Sequence, residues 1–236
     1  MPPVNTPFLS VIVPVYNEGG RLLSCIQHVF ERVGRENQVI VVDGGSVDES
    51  IHQIKELAQT EKNLHVISAP KSRAIQMNAG AKIATAGNLL FLHADTLLPE
   101  SVLPELMHFS TSKYLWGRFD VRLDHCALPY KIISWFINKR SRLTAIATGD
   151  QAIFIHRDLF EKIHGFVEQP LMEDIELTVR LKKISQPYCI KIPVITSARK
   201  WEKEGVYKTV WLMWRIRAAY ALGMSPEELA KIYYKH

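Results

Sequence analysis

Leu9-Ser10-Val11-Ile12-Val13-Pro14-Val15, followed at once by Tyr16-Asn17-Glu18, is the stretch from which the fold is legible. Leucine, valine and isoleucine fall on both faces of an extended chain, as in a strand covered on two sides. Leu22 to Val33 then places its apolar residues at helical spacing. Gln38–Asp43 is a second apolar run, ending abruptly in Gly44-Gly45. Ser46 with Glu49 predicts a capping box, and Ile51, Ile54 and Leu57 form the buried stripe behind it. Leu64–Ser68, a helical Arg73–Ala84 and Asn88–His93 continue the alternation. Strand and helix in units of this size predict an α/β protein, a Rossmann-type, mostly parallel sheet flanked by helices.

The second half is less regular. Trp116–Leu123 alternates and predicts an antiparallel or edge strand, with Gln151–Ile155 and Pro187–Ile195 as further strands. Glu173–Ile184 reads as a helix. Leu128 to Ile137 is aromatic-rich and followed by Lys139-Arg140-Ser141-Arg142. It covers an acceptor site, touches a lipid surface, or is a buried helix with a basic end. Val206–Leu222 reads as a core or dimer helix ahead of a membrane-surface one. Ser225-Pro226-Glu227-Glu228 opens a last helix. No repeat or linker divides the chain.

With 236 residues, 47% apolar and 22% charged, the composition is that of a globular chain and excludes a disordered or disulfide-stapled one. Cys25, Cys126 and Cys189 are scattered and odd in number, so they read as small buried residues in a reducing compartment. A formal charge of +5 suits an anionic ligand or surface and is too small to argue for nucleic acid. The first apolar run lacks a basic lead and is cut by Pro14, so no export signal is expected. Lys208, Arg215 and Arg217 interrupt the apolar stretch at 206–224. A cytoplasmic protein is expected, or one peripheral at the inner face of the membrane.

In open parallel sheets, ligands sit beyond the carboxyl ends of the strands. Those ends carry Tyr16-Asn17-Glu18, Asp43-Gly44-Gly45-Ser46-Val47-Asp48 and His93-Ala94-Asp95-Thr96. Singly, each is ordinary turn chemistry. Together they bring carboxylates to one edge, suited to ribose, base and a divalent cation bridging phosphates. No G-x-G-x-x-G or P-loop follows any strand.

Pro14-Val15-Tyr16-Asn17-Glu18, Asp43-Gly44-Gly45-Ser46-x-Asp48, Ala94-Asp95-Thr96 and Glu173-Asp174-x-Glu176, in this order, resemble a family-2 nucleotide-sugar glycosyltransferase of the GT-A fold. The resemblance runs from about Ser10 to Trp201. Lys71–Ala81 and Ser197–Gly205 are similar to a small bacterial subgroup, the arsenosugar-biosynthesis or selenodomain-associated transferases. It implies one GT-A domain over residues 1–205, with a nucleotide half at about 8–97 and an acceptor half at about 98–205. Residues 206–236 would form a helical C-terminal extension. It further implies that Pro14, Tyr16 and Glu18 line the nucleoside pocket, Asp43 binds uracil and Arg73 lies near the diphosphate. Asp95 would ligate Mg²⁺ or Mn²⁺, with His93 where the family carries a first aspartate. Asp174 matches the catalytic base, and Arg199 and Trp201 match the family's late Arg-Trp element more loosely, since Lys200 separates them.

The implied reaction is inverting, metal-dependent transfer from a UDP-sugar to a hydroxyl acceptor. Such chemistry needs a base for the acceptor proton and positive charge at the leaving diphosphate. A sugar-1-phosphate nucleotidyltransferase would be expected to show a G-x-G-T-R-type loop after the first strand, which Pro14–Leu22 does not supply. A non-catalytic nucleotide-sugar or lipid-surface binding module is the rival outside enzymes.

Overall fold

The computed structural model describes residues 6–234; residues 1–5 and 235–236, the outer ends of the two expected units, lie outside the described residues. Elements are numbered in chain order. β1 (Leu9–Val15), β2 (Gln38–Asp43), β3 (Leu64–Ser68) and β4 (Asn88–Phe91) are parallel neighbours in the order β3-β2-β1-β4. Helices α1 (Arg21–Val33), α2 (Ser50–Thr60) and α3 (Arg73–Ile83) are the crossovers. Val11, Val13 and Val15 face one core layer with Leu22, Ile26 and Val29 of α1. Ile12 faces the other, with Ala74, Met77 and Ala81 of α3. The two-sided apolar strand thus has its predicted cause.

The remaining elements are β5 (Thr96–Leu97), α4 (Val102–Ser110), β6 (Trp116–Leu123), α5 (Leu128–Thr144), a 3₁₀ turn at Gly149–Gln151, β7 (Ile153–His156), α6 (Arg157–Lys162), α7 (Glu173–Leu181), β8 (Tyr188–Thr196), α8 (Arg199–Glu204), α9 (Val206–Ala221) and α10 (Pro226–Tyr234). They extend the same sheet, which runs β3-β2-β1-β4-β7-β6-β8-β5. β7 joins β4 antiparallel, and the short β5 leaves the first half to pair with β8. The expected nucleotide and acceptor halves therefore interlock in one sheet. The C-terminal region is helical: α9 and α10 pack Leu212, Ile216 and Leu229 against Met172, with Ile175 of α7 alongside.

Two expectations change, and one of two alternatives is chosen. The Ser46–Glu49 capping box does not form, because α2 starts only at Ser50. The Asp43 carboxylate accepts the Ser46 N–H at 2.9 Å, which folds that segment as a turn, and Asp48 accepts from the Ser50 N–H at 3.2 Å. β6 is antiparallel to β7, as expected, but it is no edge, since β8 lies parallel on its other side. It buries a charged pair: Arg118 pairs with Asp120, which also accepts from Arg142 of α5, while Arg122 stays exposed. Cys25 is buried, whereas Cys126 is exposed.

Candidate functional site

The order β3-β2-β1-β4 puts the point where the connections reverse beside β1, at its border with β4. β4 ends at Phe91, opposite Ile12, whose carbonyl accepts the Leu92 N–H at 3.0 Å. Pro14 lies two residues on and so has its backbone groups on the same side, where β4 has already stopped. Its missing N–H breaks no ladder bond there, and the crevice opens. On the other side, Gln76 of α3 donates to the Val15 and Val42 carbonyls at 2.8 and 2.7 Å. This buried amide props the ends of β1 and β2.

The loops above are clipped together. Asn17, at a left-handed φ of 54°, donates its N–H to Ser46 Oγ and accepts the Val47 N–H, both at 2.9 Å. Asp48 accepts the Gly19 N–H at 2.9 Å. Tyr16 stays exposed, with Lys71 Nζ 3.6 Å above its ring. Asp43 is buried at the end of β2, in register with Val15.

Glu18 and Asp95 face each other across the crevice with Arg199 between them, its guanidinium 3.7 Å from Glu18 and 3.8 Å from Asp95. Burial raises both carboxyls above their ordinary values; Asp95 adds to the rise at Glu18, and Arg199 opposes it at both. Trp201 is not with them. It packs on the far side of α8 against the cluster of Leu123, Tyr130 and Ile133.

A second acidic group lies where α7 begins. Met172, at a left-handed φ of 68°, precedes Glu173 and Asp174. Asp174 accepts the Gly149 and Ile175 N–H groups, both at 2.7 Å, yet burial still raises its carboxyl. Glu173 is buried and pushed up to about 7, by burial first and by Asp174 second, with Arg73 pulling it back. Glu176 faces elsewhere and is gripped by Arg180 through two 2.7 Å bonds. His93 shares a small cleft with Gly149, Phe166, Glu173 and Asp174. Burial, followed by Arg73, lowers it to about 3, so it is neutral.

The glycosyl transferase family 2 profile matches residues 10–163, from β1 into α6. The chain belongs to glycosyltransferase family 2. An "Uncharacterized glycosyltransferase" of Haemophilus influenzae is 26% identical over 118 residues, covering 48% of this chain and 46% of that one. Among solved structures, S. aureus TarS superposes with a TM-score of 0.65 at 19% identity, covering 80% of this chain and 60% of that one. The mannosyltransferase PcManGT of Pyrobaculum calidifontis, solved with GDP-Man and Mn²⁺, gives 0.63 at 22%, covering 90% and 61%. TarS has also been solved with UDP-GlcNAc. At these identities the likeness is one of fold, and the chain spans about half to three-fifths of the proteins it matches. The fold is therefore GT-A-like.

In this member of family 2 the match ends before Asp174, Arg199 and Trp201. Several site residues escaped the sequence reading. Gly149 supplies the N–H that holds Asp174, and a side chain there would collide with His93. Arg140 of α5 and Arg217 of α9 stand in the field of Asp150 and Asp174. Burial lowers both, with Arg217 lowering Arg140 further, to about 10. Only the interruption of apolar stretches by these arginines could have marked them. Among the described residues no three His, Cys, Asp or Glu side chains gather into a ready cage for a metal. The donor set fits a hard cation that reaches Asp95 with oxygens of its own ligand.

Proposed function

We propose that this glycosyltransferase moves a sugar from a UDP-sugar to a hydroxyl acceptor with inversion at the anomeric carbon. The observation that carries the reading is the meeting of Glu18, Asp95 and Arg199 in the switch-point crevice. Pro14, Tyr16 and Glu18 line the nucleoside pocket in this reading, with Glu18 on the ribose and Asp43 on uracil. Arg73 and Arg199 face the diphosphate, and Trp201 backs Arg199 through α8. Asp95 would hold Mg²⁺ or Mn²⁺, and neutral His93 would have the lone pair a second ligand needs. The cation would add positive charge at the departing diphosphate.

Asp174 takes the acceptor proton as that oxygen bonds to the anomeric carbon and the bond to the diphosphate breaks, releasing UDP. A carboxyl raised by burial is a stronger base than one in water. The Gly149 and Ile175 N–H groups fix its direction. The test is UDP release from a panel of UDP-sugars with Mn²⁺ present. Asp174→Asn should keep UDP affinity, measured by calorimetry, and lose transfer by on the order of 10²–10⁴. Near-normal turnover in that variant would remove Asp174 from the mechanism.

A further inference from the structure

α5 and α9 meet through one shared hydrophobic cluster. Their N-terminal halves share the cluster around Tyr130 and Ile133, into which Ile137, Val206 and Val210 pack. Farther along, Arg140 and Arg217 come within each other's field. The two helices therefore run in the same direction. At about 100° per residue, Ile133, Ile137 and Arg140 lie roughly 80–140° to one side of Ile132, while Val206, Val210 and Arg217 lie roughly 60–100° to the opposite side of Tyr207. Opposite senses of rotation are what two parallel neighbours need for their outer faces to point the same way.

Those outer faces are aromatic. On α5, Trp135 and Phe136 are 57% and 58% exposed; on α9, Tyr207, Trp211 and Trp214 are 86%, 62% and 72% exposed. So much uncovered aromatic surface in one plane marks a contact site. Its charge says with what. Neither helix contains an Asp or Glu, against 24 in the chain, while together they carry seven Lys and Arg. By the same helical geometry Lys131 borders the plane on one flank and Lys208 and Arg215 on the other, with Lys139 within it. Arg215 leans over the Trp211 ring at 4.4 Å. Basic rims around Trp, Tyr and Phe match an anionic headgroup layer over acyl chains.

We propose that the α5–α9 face docks this protein on an anionic lipid surface, both helices lying in the plane of the interface. No helix among the described residues is long and apolar enough to cross a membrane. The sequence alone ranked α9 as a core or dimer helix, because Arg215 and Arg217 are few; the second helix supplies the missing charge. Arg140 of α5 and Arg217 of α9 both stand in the field of Asp174, so on the proposed function docking would bring a membrane-borne hydroxyl towards the base.

The experiment is co-sedimentation of the whole chain with vesicles of phosphatidylcholine alone or mixed equally with phosphatidylglycerol, with tryptophan emission followed in parallel. Binding and a blue shift are expected on the mixed vesicles, weakening as salt is added. Trp211→Ser with Trp214→Ser should lower partitioning about tenfold or more while leaving thermal unfolding unchanged. Lys131→Glu and Lys208→Glu should each lower it about fivefold or more. No binding to the mixed vesicles, or binding indifferent to both sets of changes, overturns the proposal. So does a dimer in the lipid-free protein that the tryptophan changes dissolve. The assay uses neither donor nor acceptor, so its failure is separate from failure of the transfer chemistry.

Discussion

Glu173 and Asp174 adjoin in sequence, yet the first turn of α7 sends them into different surroundings. Asp174 is tied to two backbone N–H groups, whereas Glu173 is buried near Arg73 and keeps its proton up to about 7. A carboxyl whose folded value lies above the unfolded one favours the native state fully below about 4.5, and that contribution is lost as pH rises through about 7. Glu173→Gln, permanently neutral, should therefore gain stability over wild type as pH climbs through that window and hold the gain above it. Urea unfolding across pH measures the difference; parallel profiles would show that Glu173 is not so perturbed. Glu176→Gln should act otherwise, loosening the Arg180 grip that also reaches the Ile163 and Gly165 carbonyls, with little effect on transfer. The sequence showed three acids at a helix start, and the dipole reading treats them alike. Only the surroundings, drawn from β4, the 3₁₀ turn and α3, tell them apart.

At the scale of elements, α3 lies against β1 and β2 closely enough that Gly80 has no room for a side chain. A Cβ there would sit 2.5 Å from an Ile12 methyl and 3.1 Å from one of Val42. Gly80→Ala should cost about 1–3 kcal/mol, because two strands of a packed core must yield. Equilibrium unfolding would detect it, and an unchanged midpoint would mean that α3 can shift without cost. The alternating first half was readable because each strand and helix carries its own period. The switch-point crevice followed from that order, with Glu18 and Asp95 meeting across it through Arg199 and Asp43 at the end of β2. The second half was harder for a physical reason. β6 buries Arg118 and Asp120 as an ion pair, so its alternation does not mark inside and outside. β5 is two residues long and exists only because β8 is there to pair with it. Arg140, Gly149 and Arg217 come from three separate segments, and no local pattern links them to Asp174.

For the whole molecule, a ligand that binds only the folded chain stabilises it by mass action. UDP at 100 times its dissociation constant should add about 2.7 kcal/mol, or roughly 5–10 °C at this chain length. We expect UDP to exceed ADP, Asp43→Ala to erase the difference, and EDTA or Asp95→Asn to weaken the UDP shift. Equal shifts with both nucleotides would sink the uracil assignment, and indifference to EDTA would sink the cation. The packing of α9 and α10 on α7 also bears on how this chain comes into being. The four parallel strands can collapse on their own helices while the rest of the chain is still being made. The helix that carries Asp174 waits for Leu212, Ile216 and Leu229, which leave the ribosome after it. The crevice of the parallel strands can thus form before the surroundings of Asp174 are complete. On the proposed roles, a chain cut short after α8 would keep Glu18 and Asp95 at the crevice but lose the packing that settles Asp174.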